Sequence, residues 1–309
     1  MAAPERPIVC VSYLASAELW HVPHFPEANH GAEIRFAEHS IAADGPMTAA
    51  VLAALDVPTM LIANDFGCDA DGRQVSEWLQ RHGVQTTAAV NAGTVTPRVV
   101  VVAADDDTRT WFAHLPGVAG SLERVDLSTI ACASFVYLDA YQLIENAALR
   151  VIRATRAGGT PLLLNLGGSP LSDALQLELR NHENLLIQTN VDDAARYDAS
   201  ELARQLLAHT SAEWAVVTAG AAGSLAASRK QSVLAVPAFP VQVHHTHCAG
   251  AAFSGGLLYG LREGMSIDRS MRLGAASGAL RCTRHHSAPL PTLFELESIA
   301  ACLDRLAAD

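Results

Sequence analysis

The sequence predicts a doubly wound α/β fold, in which a mainly parallel sheet is flanked by helices and accompanied by a small β-ribbon lid. Three observations support this prediction. From residue 135 onward, short apolar runs alternate with helical stretches, a pattern typical of parallel sheets. Two earlier segments alternate apolar and polar residues, which is typical of half-exposed antiparallel ribbons. The chain has 309 residues, 50% of them hydrophobic, and this is enough for one large core.

The first part of the chain is predicted to contain buried strands, helices and two ribbons. Apolar runs suit the strands, Gly83 ends a helix, and the acidic run 105–107 suits a hairpin turn. We predict strands at 8–13 and 59–63, helices at 47–55 and 74–82, and hairpin strands at 98–104 and 109–114. The ribbons, at about 14–42 and 94–115, are expected to pair outside the main sheet as the lid of a single domain over residues 1–309.

Strands and helices alternate regularly in the second part of the chain. We predict strands at 135–138, 162–166, 185–188 and 214–218, and helices at 147–157, 171–180 and 200–209. An extended run at 236–243, a turn of small residues at 248–251 and an apolar helix at 252–261 follow. A helix N-terminus has unpaired N–H groups and a partial positive charge, so small residues there allow an anion to approach the backbone. The turn therefore predicts either a phosphate site or a tightly packed buried helix.

Residues 245–256 resemble the C-terminal signature of the ribokinase-like (PfkB-type) carbohydrate kinases. That signature reads Asp-Thr-Thr-Gly-Ala-Gly-Asp-Ala-Phe-x-Gly-Gly, and this chain reads His-Thr-His-Cys-Ala-Gly-Ala-Ala-Phe-Ser-Gly-Gly. The resemblance implies a ribokinase-like fold, ATP and Mg²⁺ as cofactors, and transfer of phosphate to a hydroxyl of a sugar or nucleoside-like small molecule. It also implies that Cys248, Ala249 and Gly250 form an anion hole for the transferring group.

Two further motifs resemble the nucleotide-binding side of the same family. The run 190–193 stands in place of its Asn-x-x-Glu motif, which implies that Asn190 lies at the nucleotide and that Asp193 holds Mg²⁺ through water. The run 218–223 stands in place of its Thr-x-Gly-x-x-Gly motif. This implies nucleotide contacts at Thr218, Gly220 and Gly223. Without the resemblance, these residues are also consistent with a helix N-cap and a plain βα turn.

The substrate-binding side of the resemblance is less complete. Asp44 and Gly45 stand where the family has a Gly-Gly motif, and Arg98 begins the predicted lid hairpin. The resemblance therefore implies substrate contacts at these three residues. The family's substrate-binding Asp near the first strand has no clear counterpart here, so the sequence does not define the substrate.

Four positions of the signature depart from the family's pattern, and two of the departures remove an acidic residue. Its catalytic base, the last Asp of the signature, falls on Ala251, and its first Asp, near the nucleotide and metal, falls on His245. An Ala methyl group cannot accept a proton, so this chain is predicted to be slow or inactive in phosphate transfer. Ala251 is either natural, in a pseudokinase or an enzyme with altered chemistry, or an engineered replacement of Asp. His245 or His247 is a candidate surrogate base, because the pKa of a histidine is ordinarily near neutrality.

Two other functions remain open at this point. A non-catalytic protein would bind a sugar or a nucleotide, as a sensor or as a partner subunit. A repurposed enzyme would use the cluster of His244, His245 and His247 with a metal ion, since imidazole is a common zinc ligand. Such a metal site needs at least one more ligand from elsewhere in the chain.

Composition narrows the class of protein. The net charge of −11 argues against nucleic-acid binding. The six cysteines lack CxxC spacing, which indicates free thiols in a reducing compartment. The sequence shows neither a signal peptide nor an apolar run that could span a membrane, so we expect a cytoplasmic protein without membrane contacts. A homodimer through the edges of the lid strands is plausible, because exposed strand edges are usually covered.

Overall fold

The strands of the chain form two separate sheets. A computed structural model describes residues 5–105, 108–191 and 198–306. The strands within these ranges are Ile8–Val11 (β1), Ala15–Val22 (β2), Phe36–Ala42 (β3), Thr59–Ile62 (β4), Gln85–Thr86 (β5), Arg98–Ala104 (β6), Arg109–His114 (β7), Phe135–Asp139 (β8), Leu162–Asn165 (β9), Leu185–Asn190 (β10), Trp214–Thr218 (β11), Ser224–Ser228 (β12) and Leu234–Val236 (β13). The α-helices are Asp44–Ala54 (α1), Ala70–Arg81 (α2), Val118–Leu122 (α3), Glu145–Gly158 (α4), Asp173–Leu179 (α5), Ala199–His209 (α6), Ala249–Arg262 (α7), Ile267–Cys282 (α8) and Leu293–Leu306 (α9).

The larger sheet has the strand order β13-β12-β11-β10-β9-β8-β1-β4-β5. Neighbouring strands from β5 to β11 pair in parallel, whereas β12 and β13 add to one edge as antiparallel strands. Because β1 lies between β4 and β8, the strand order reverses there, and such a switch point is where open α/β sheets bind ligands. The doubly wound α/β class predicted from the sequence is confirmed.

Successive residues of the central strands face opposite layers of the core. In β1, Ile8 and Cys10 pack into one layer, whereas Val9 and Val11 pack into the other. Residues of α1, α7 and α8 complete the first layer, and residues of α4, α5 and α6 complete the second. Because helices cover both faces, these strands are apolar throughout and do not alternate with polar residues.

The smaller sheet, here called the lid sheet, has the order β3-β2-β6-β7 and contains both predicted ribbons. The strand β2 pairs antiparallel with β3 and in parallel with β6, which in turn pairs antiparallel with β7. One face of the lid sheet buries Ala15, Ala17, Val99 and Val101 against Tyr13. The turn residues 106 and 107 of the predicted hairpin lie outside the described residues.

Three helices begin at least three residues earlier than predicted, and in two of them a side chain accepts a hydrogen bond from an N–H group of the first turn. The helix α1 begins at Asp44, three residues before its predicted start at 47, and the buried Asp139 carboxylate accepts from the Gly45 N–H. In α2, Asp69 is the N-cap and accepts from the N–H of Gly72. The helix α7 begins at Ala249, so that most of the predicted small-residue turn belongs to its first turn.

The end of the chain was only partly predicted. The strand β12 and the helices α8 and α9 were not predicted, and the expected extended run at 236–243 forms a strand only up to Val236. Pro237 and Pro240 follow, and a proline has no N–H to continue a strand ladder. No helix in the described part of the chain is both long enough and apolar enough to cross a membrane. The five cysteines described by the structure are free thiols, as predicted.

Candidate functional site

Polar residues collect where the parallel strands end. Asp139 and Asn165 are register partners at the ends of β8 and β9, and Asn190 and Thr218 are register partners at the ends of β10 and β11. Ser12 directly follows β1, between the ends of β4 and β8. The carboxyl edge of an open α/β sheet is its usual ligand site. This edge, at the switch point of the sheet, is therefore the candidate functional site.

The first turn of α7 lies over this edge. Its N-cap, Cys248, adopts the left-handed conformation with φ 62°, and Ala251 is fully buried. Thr48 of α1 donates from Oγ1 to the Ala251 carbonyl oxygen at 3.1 Å, and Ser254 donates from Oγ to Gln188 Oε1 of β10 at 3.1 Å. A Cβ atom added at Gly250 would meet nothing within 4 Å, so the backbone there is open to a ligand. The arrangement suits an anion held by the N–H groups of a helix N-terminus.

An acidic network lies beside this turn and comprises Asp44, Asp139, Asn165, Tyr137 and Tyr141. Asp139 Oδ2 accepts from Ser12 Oγ at 2.5 Å and from the Gly45 N–H at 2.9 Å. Its other oxygen, Oδ1, accepts from the Tyr137 hydroxyl at 2.8 Å and from Asn165 Nδ2 at 2.9 Å. Asp44 Oδ2 accepts from the Tyr141 hydroxyl at 2.7 Å and from Asn165 Nδ2 at 2.9 Å.

Burial and mutual repulsion dominate the charge state of the acidic network. Burial, and then the nearby Asp44 carboxylate, raise the pKa of Asp139 to about 7, although its hydrogen bonds act in the opposite direction. Burial and the same two carboxylates also raise the pKa values of Tyr137 and Tyr141 well above the ordinary range. The phenols are therefore neutral donors at physiological pH. The network holds two carboxyl groups close together with neutral partners alone.

An imidazole cluster, comprising His245, His247, His286 and Arg281, joins the loop before α7 to the end of α8. The His245 and His286 rings stack with centroids 3.9 Å apart, and those of His247 and His286 are 5.3 Å apart. His245 Nε2 is 2.6 Å from the carbonyl oxygen of Arg284 and 3.1 Å from Arg281 Nη1. Burial, together with the Arg281 charge, lowers the pKa of His245 to about 4 and that of His247 to about 3. Both histidines are therefore neutral at physiological pH.

Arg281 is a buried cation without a carboxylate partner among the described residues. Its side chain donates to ring nitrogens of His245 and His286 and to the carbonyl oxygen of Arg284. Its Nε atom and His245 Nδ1 are buried and have no hydrogen-bond partner in the described part of the chain. The histidine cluster does not form a metal site there either, because no three His, Cys, Asp or Glu side chains of the described residues could hold a metal ion together.

Two contacts join the lid sheet to the loop before α7. Arg109 of β7 donates from Nη1 to the carbonyl oxygen of Thr246 at 3.1 Å and to its hydroxyl at 3.2 Å. His247 Nε2 lies 3.1 Å from the carbonyl oxygen of Ile41 in β3. The lid sheet therefore rests directly on the loop that leads into the first turn of α7. Arg98, the third predicted substrate contact, is exposed at the start of β6.

Four of the five residues predicted to bind a nucleotide, namely Asn190, Thr218, Gly220 and Gly223, lie at or just after the ends of β10 and β11, whereas His245 belongs to the imidazole cluster. A cleft of about 220 Å³ is lined there by Ala219, Ala222 and Gly223 among others. Gly223 has φ 92°, and a Cβ atom there would come within 2.3 Å of the Val236 carbonyl oxygen. Backbone conformation and packing are therefore sufficient reasons for a glycine at this position. Gly220 also has a positive φ of 49°. Asp193, the predicted magnesium ligand, lies outside the described residues.

Sequence reasoning missed the residues that organise the acidic network. Asp139 follows the predicted strand 135–138 directly, and Asn165 falls inside the predicted strand 162–166. A signal was present, because a polar residue at the carboxyl end of a parallel strand points to a ligand edge. The role of Tyr137 carried no such signal, since a tyrosine within an apolar strand is ordinary core. Arg281 was missed because α8 was not predicted.

Comparison with known proteins identifies the family. The sequence model described as "pfkB family carbohydrate kinase" matches residues 48–293, which is more than half of the chain. A 5-dehydro-2-deoxygluconokinase of Shouchella clausii is 22% identical over 253 residues, covering 75% of this chain and 77% of that protein. The enzyme of the same name from Bacillus licheniformis is 33% identical over 102 residues, covering 33% of this chain and 31% of that protein.

Solved structures show the same fold. A ribokinase from Thermotoga maritima superposes with a TM-score of 0.77 at 16% identity, covering 96% of this chain and 99% of the other. Ribokinase from Arabidopsis thaliana, solved with ribose and ATP, has a TM-score of 0.74 at 19% identity, covering 96% and 99%. The resemblance inferred from the signature at residues 245–256 is confirmed. The chain has the ribokinase fold and belongs to the pfkB family of carbohydrate kinases.

Proposed function

We propose that this protein transfers phosphate from ATP to a hydroxyl group of a sugar or nucleoside-like small molecule. The observation that supports this most is the open first turn of α7 at Gly250, which lies beside the carboxyl groups of Asp44 and Asp139 at the switch point of the sheet. Helix N–H groups stabilise the charge of a transferring phosphoryl group, and carboxylates orient sugar hydroxyls. Family membership and the names of the relatives point to the same reaction class.

The nucleotide would lie in the cleft that Gly223 lines, close to Asn190 and Thr218 at the ends of β10 and β11 and to Gly220. The resemblance alone suggests His245 as a contact to its phosphates. Mg²⁺ belongs to the proposal as the ion that neutralises the phosphate charges. The oxygen atoms of Asn190 and Thr218, with Asp193 acting through water, are hard donors of the kind that Mg²⁺ prefers. The imidazole cluster is unsuitable, because Arg281 places a buried positive charge among its ring nitrogens.

The protein is proposed to be slow. Ala251 occupies the position of the family's proton acceptor, and its methyl group is fully buried and cannot take a proton. General-base catalysis contributes on the order of 10²–10⁴-fold, so its loss lowers turnover while binding is largely kept. The same residue supports the second candidate function, a non-catalytic protein that binds a sugar or nucleotide as a sensor or partner subunit.

The test is ATP consumption by this chain and by Ala251→Asp, measured side by side over a panel of sugars, sugar acids and nucleosides. We expect Ala251→Asp to raise turnover of one class of compound by about tenfold or more, because a fully positioned base contributes on the order of 10²–10⁴-fold. The matched control is Ala249→Asp, which adds the same charge to the same turn and should not raise turnover. If neither the chain nor Ala251→Asp consumes ATP, yet a panel compound raises the melting temperature of both, the protein is a binder and the kinase proposal fails.

Two further points belong to the proposal. We propose a homodimer through the lid sheet, because Trp111 and Phe112 of its edge strand β7 are 64% and 65% exposed. Sedimentation of the chain and of Phe112→Glu tests this, and a monomer in both cases rejects it. We also propose a cytoplasmic location, because free thiols suit a reducing compartment.

A further inference from the structure

Asp44 is the residue on which the further inference rests. It is the first residue of α1 and follows Ala43, which has φ 76° and ψ 160°, a conformation that favours glycine. Strain of this kind persists where the surrounding structure enforces it, and it is concentrated at functional sites. Its consequence here is that the Asp44 side chain is directed to the ends of β8 and β9, where Tyr141 and Asn165 bind it.

The two carboxyl groups of the acidic network differ in what they can still accept. All the hydrogen bonds that reach Asp44 from the described residues end on Oδ2, and the residue is half-buried. Both oxygens of Asp139 are occupied by two donors each, and the side chain is fully buried. A carboxylate held by one oxygen with the other available is arranged to accept a proton. Asp139 is arranged as a support for its neighbours.

Asp44 lies close to the position of the missing base. Thr48, one helical turn after Asp44 in α1, donates its hydroxyl to the carbonyl oxygen of Ala251 at 3.1 Å. The N-terminal halves of α1 and α7 therefore adjoin, and Asp44 lies one turn before this contact in α1. The Asp44 charge also acts on Cys248, the N-cap of α7, since it is one of the causes that raise the pKa of that thiol.

We propose that Asp44 is the proton acceptor of this protein and takes the role that the side chain at position 251 cannot fill. This rests on the proposed phosphate transfer. In the step, the substrate hydroxyl oxygen forms a bond to the γ-phosphorus of ATP while the bond from that phosphorus to the β,γ-bridging oxygen breaks. The hydroxyl proton passes to Asp44 Oδ1, and ADP leaves with the bridging oxygen. The proton is then released from Asp44 to solvent.

The neighbouring imidazoles are less suited to this role. His245 Nε2 is enclosed between the Arg284 carbonyl oxygen and the Arg281 guanidinium, and its Nδ1 is buried without a partner among the described residues. His247 spends Nε2 on the carbonyl oxygen of Ile41.

The experiment combines Asp44→Asn with both residues at position 251 and measures kcat and KM on the compound that the panel identifies. With Ala251, we expect Asp44→Asn to lower kcat by about 10²-fold or more with little change in KM. With Ala251→Asp in place, the same change should lower kcat by less than about fivefold, because a second base is then available. The matched control is Asp56→Asn, which removes the same charge from the exposed far end of α1 and should leave kcat unchanged.

Each other outcome overturns the inference. An equal loss with either residue at position 251 makes Asp44 a substrate-binding or structural residue, and no loss gives it no role. Activity in Ala251→Asp but none in the chain itself keeps the proposed function and removes Asp44 as a base. No activity in either one rejects the phosphate transfer and the inference with it. Thermal denaturation of every variant shows whether a loss comes from misfolding. His247→Gln, measured in parallel, tests whether that imidazole is the base instead.

Discussion

The acidic network and the imidazole cluster both act on Cys248, the N-cap of α7, and they hold buried charge in opposite ways. In the acidic network, the Asp139 carboxyl group accepts hydrogen bonds from four donors, which lie in or beside the strands and helices of the core. In the imidazole cluster, the Arg281 guanidinium is 2% exposed, its hydrogen bonds reach ring nitrogens and a carbonyl oxygen, and its Nε atom has no partner among the described residues.

The two regions therefore differ in whether their buried polar groups are satisfied. A buried polar network rigidifies a site when every member is satisfied, whereas an unpaired buried charge costs free energy. The acidic network therefore has the properties of a rigid support for Asp44. The imidazole cluster contains an unpaired buried charge, which lowers stability, and its histidines must stay neutral beside Arg281. The two regions should respond differently to substitution and to pH.

The largest expected effect is at Asp139. Replacing it by Ala leaves Ser12, Gly45, Tyr137 and Asn165 with buried donors that have lost their acceptor, so Asp139→Ala should lower the free energy of unfolding by about 3–5 kcal/mol. Urea denaturation measures this. Asp126→Ala is the control, because that carboxylate accepts two hydrogen bonds from Ser128 but is exposed, and its loss should change little. Similar losses in the two variants would contradict the role given to the network.

The next effect is the response to acid. The pKa values of His245, His247 and His286 are lowered in the folded protein. Below pH 6.5 the unfolded chain therefore binds protons that the folded chain does not, and the free energy of unfolding decreases as the pH falls. Asp139 has the opposite effect. Because its pKa is raised to about 7, the folded protein binds this proton at a higher pH than the unfolded chain does, and acidification stabilises the fold. His82 and His182 act in the same direction as these three histidines, because burial lowers their pKa values too. The imidazoles together outweigh the one carboxyl group.

We therefore expect unfolding to cost on the order of 1–2 kcal/mol less at pH 5 than at pH 7. Denaturation curves at several pH values measure it. His24 is exposed and serves in a control variant, His24→Gln, which should keep the same slope. A stability that rises on acidification would show that the acidic network, and not the imidazole cluster, dominates.

The smallest effect is expected at Arg281, although its side chain is as buried as that of Asp139. Arg281→Met removes a charge that lacks a carboxylate partner and replaces it by an apolar chain of similar length. The gain from removing the charge offsets the donors lost to His245 and His286, so stability should change by less than about 1 kcal/mol. The pH dependence should also weaken, because the Arg281 charge is one of the causes that lower the three histidine pKa values. A loss as large as that of Asp139→Ala would show that a counter-charge has been overlooked.

The sequence predicted the sheet and its edge better than the residues that meet there. Apolar runs such as those of β8 and β11 depend on burial by helices on both faces, which composition shows directly. The start of α1 depends instead on Asp139, a residue about ninety positions away that caps the helix from another strand. The pairing of Asp44 with Asn165 is of the same kind. Such contacts follow from strand order, which local patterns do not encode.

The signature at the start of α7 was informative in a different way. It gave the family, which the comparisons confirmed, and it marked Ala251 as a departure. It could not show that His247 and Thr246 are held by the lid sheet, because those contacts come from strands far earlier in the chain. The assignments of Asn190, Thr218, Gly220, Gly223 and Arg98 to ligands stay predictions, since packing alone accounts for Gly223.

The contacts of Arg109 with Thr246 and of His247 with Ile41 have a consequence for the timing of a catalytic cycle. Ligands exchange when a lid lifts, and here lifting the lid would also release the loop that leads into α7. If the proposed phosphate transfer takes place, each departure of product would loosen the first turn of α7, and each arrival of substrate would rebuild it. With the slow chemical step proposed above, this coupling favours long residence of the bound substrate, because the turn is fully assembled only while the lid is closed.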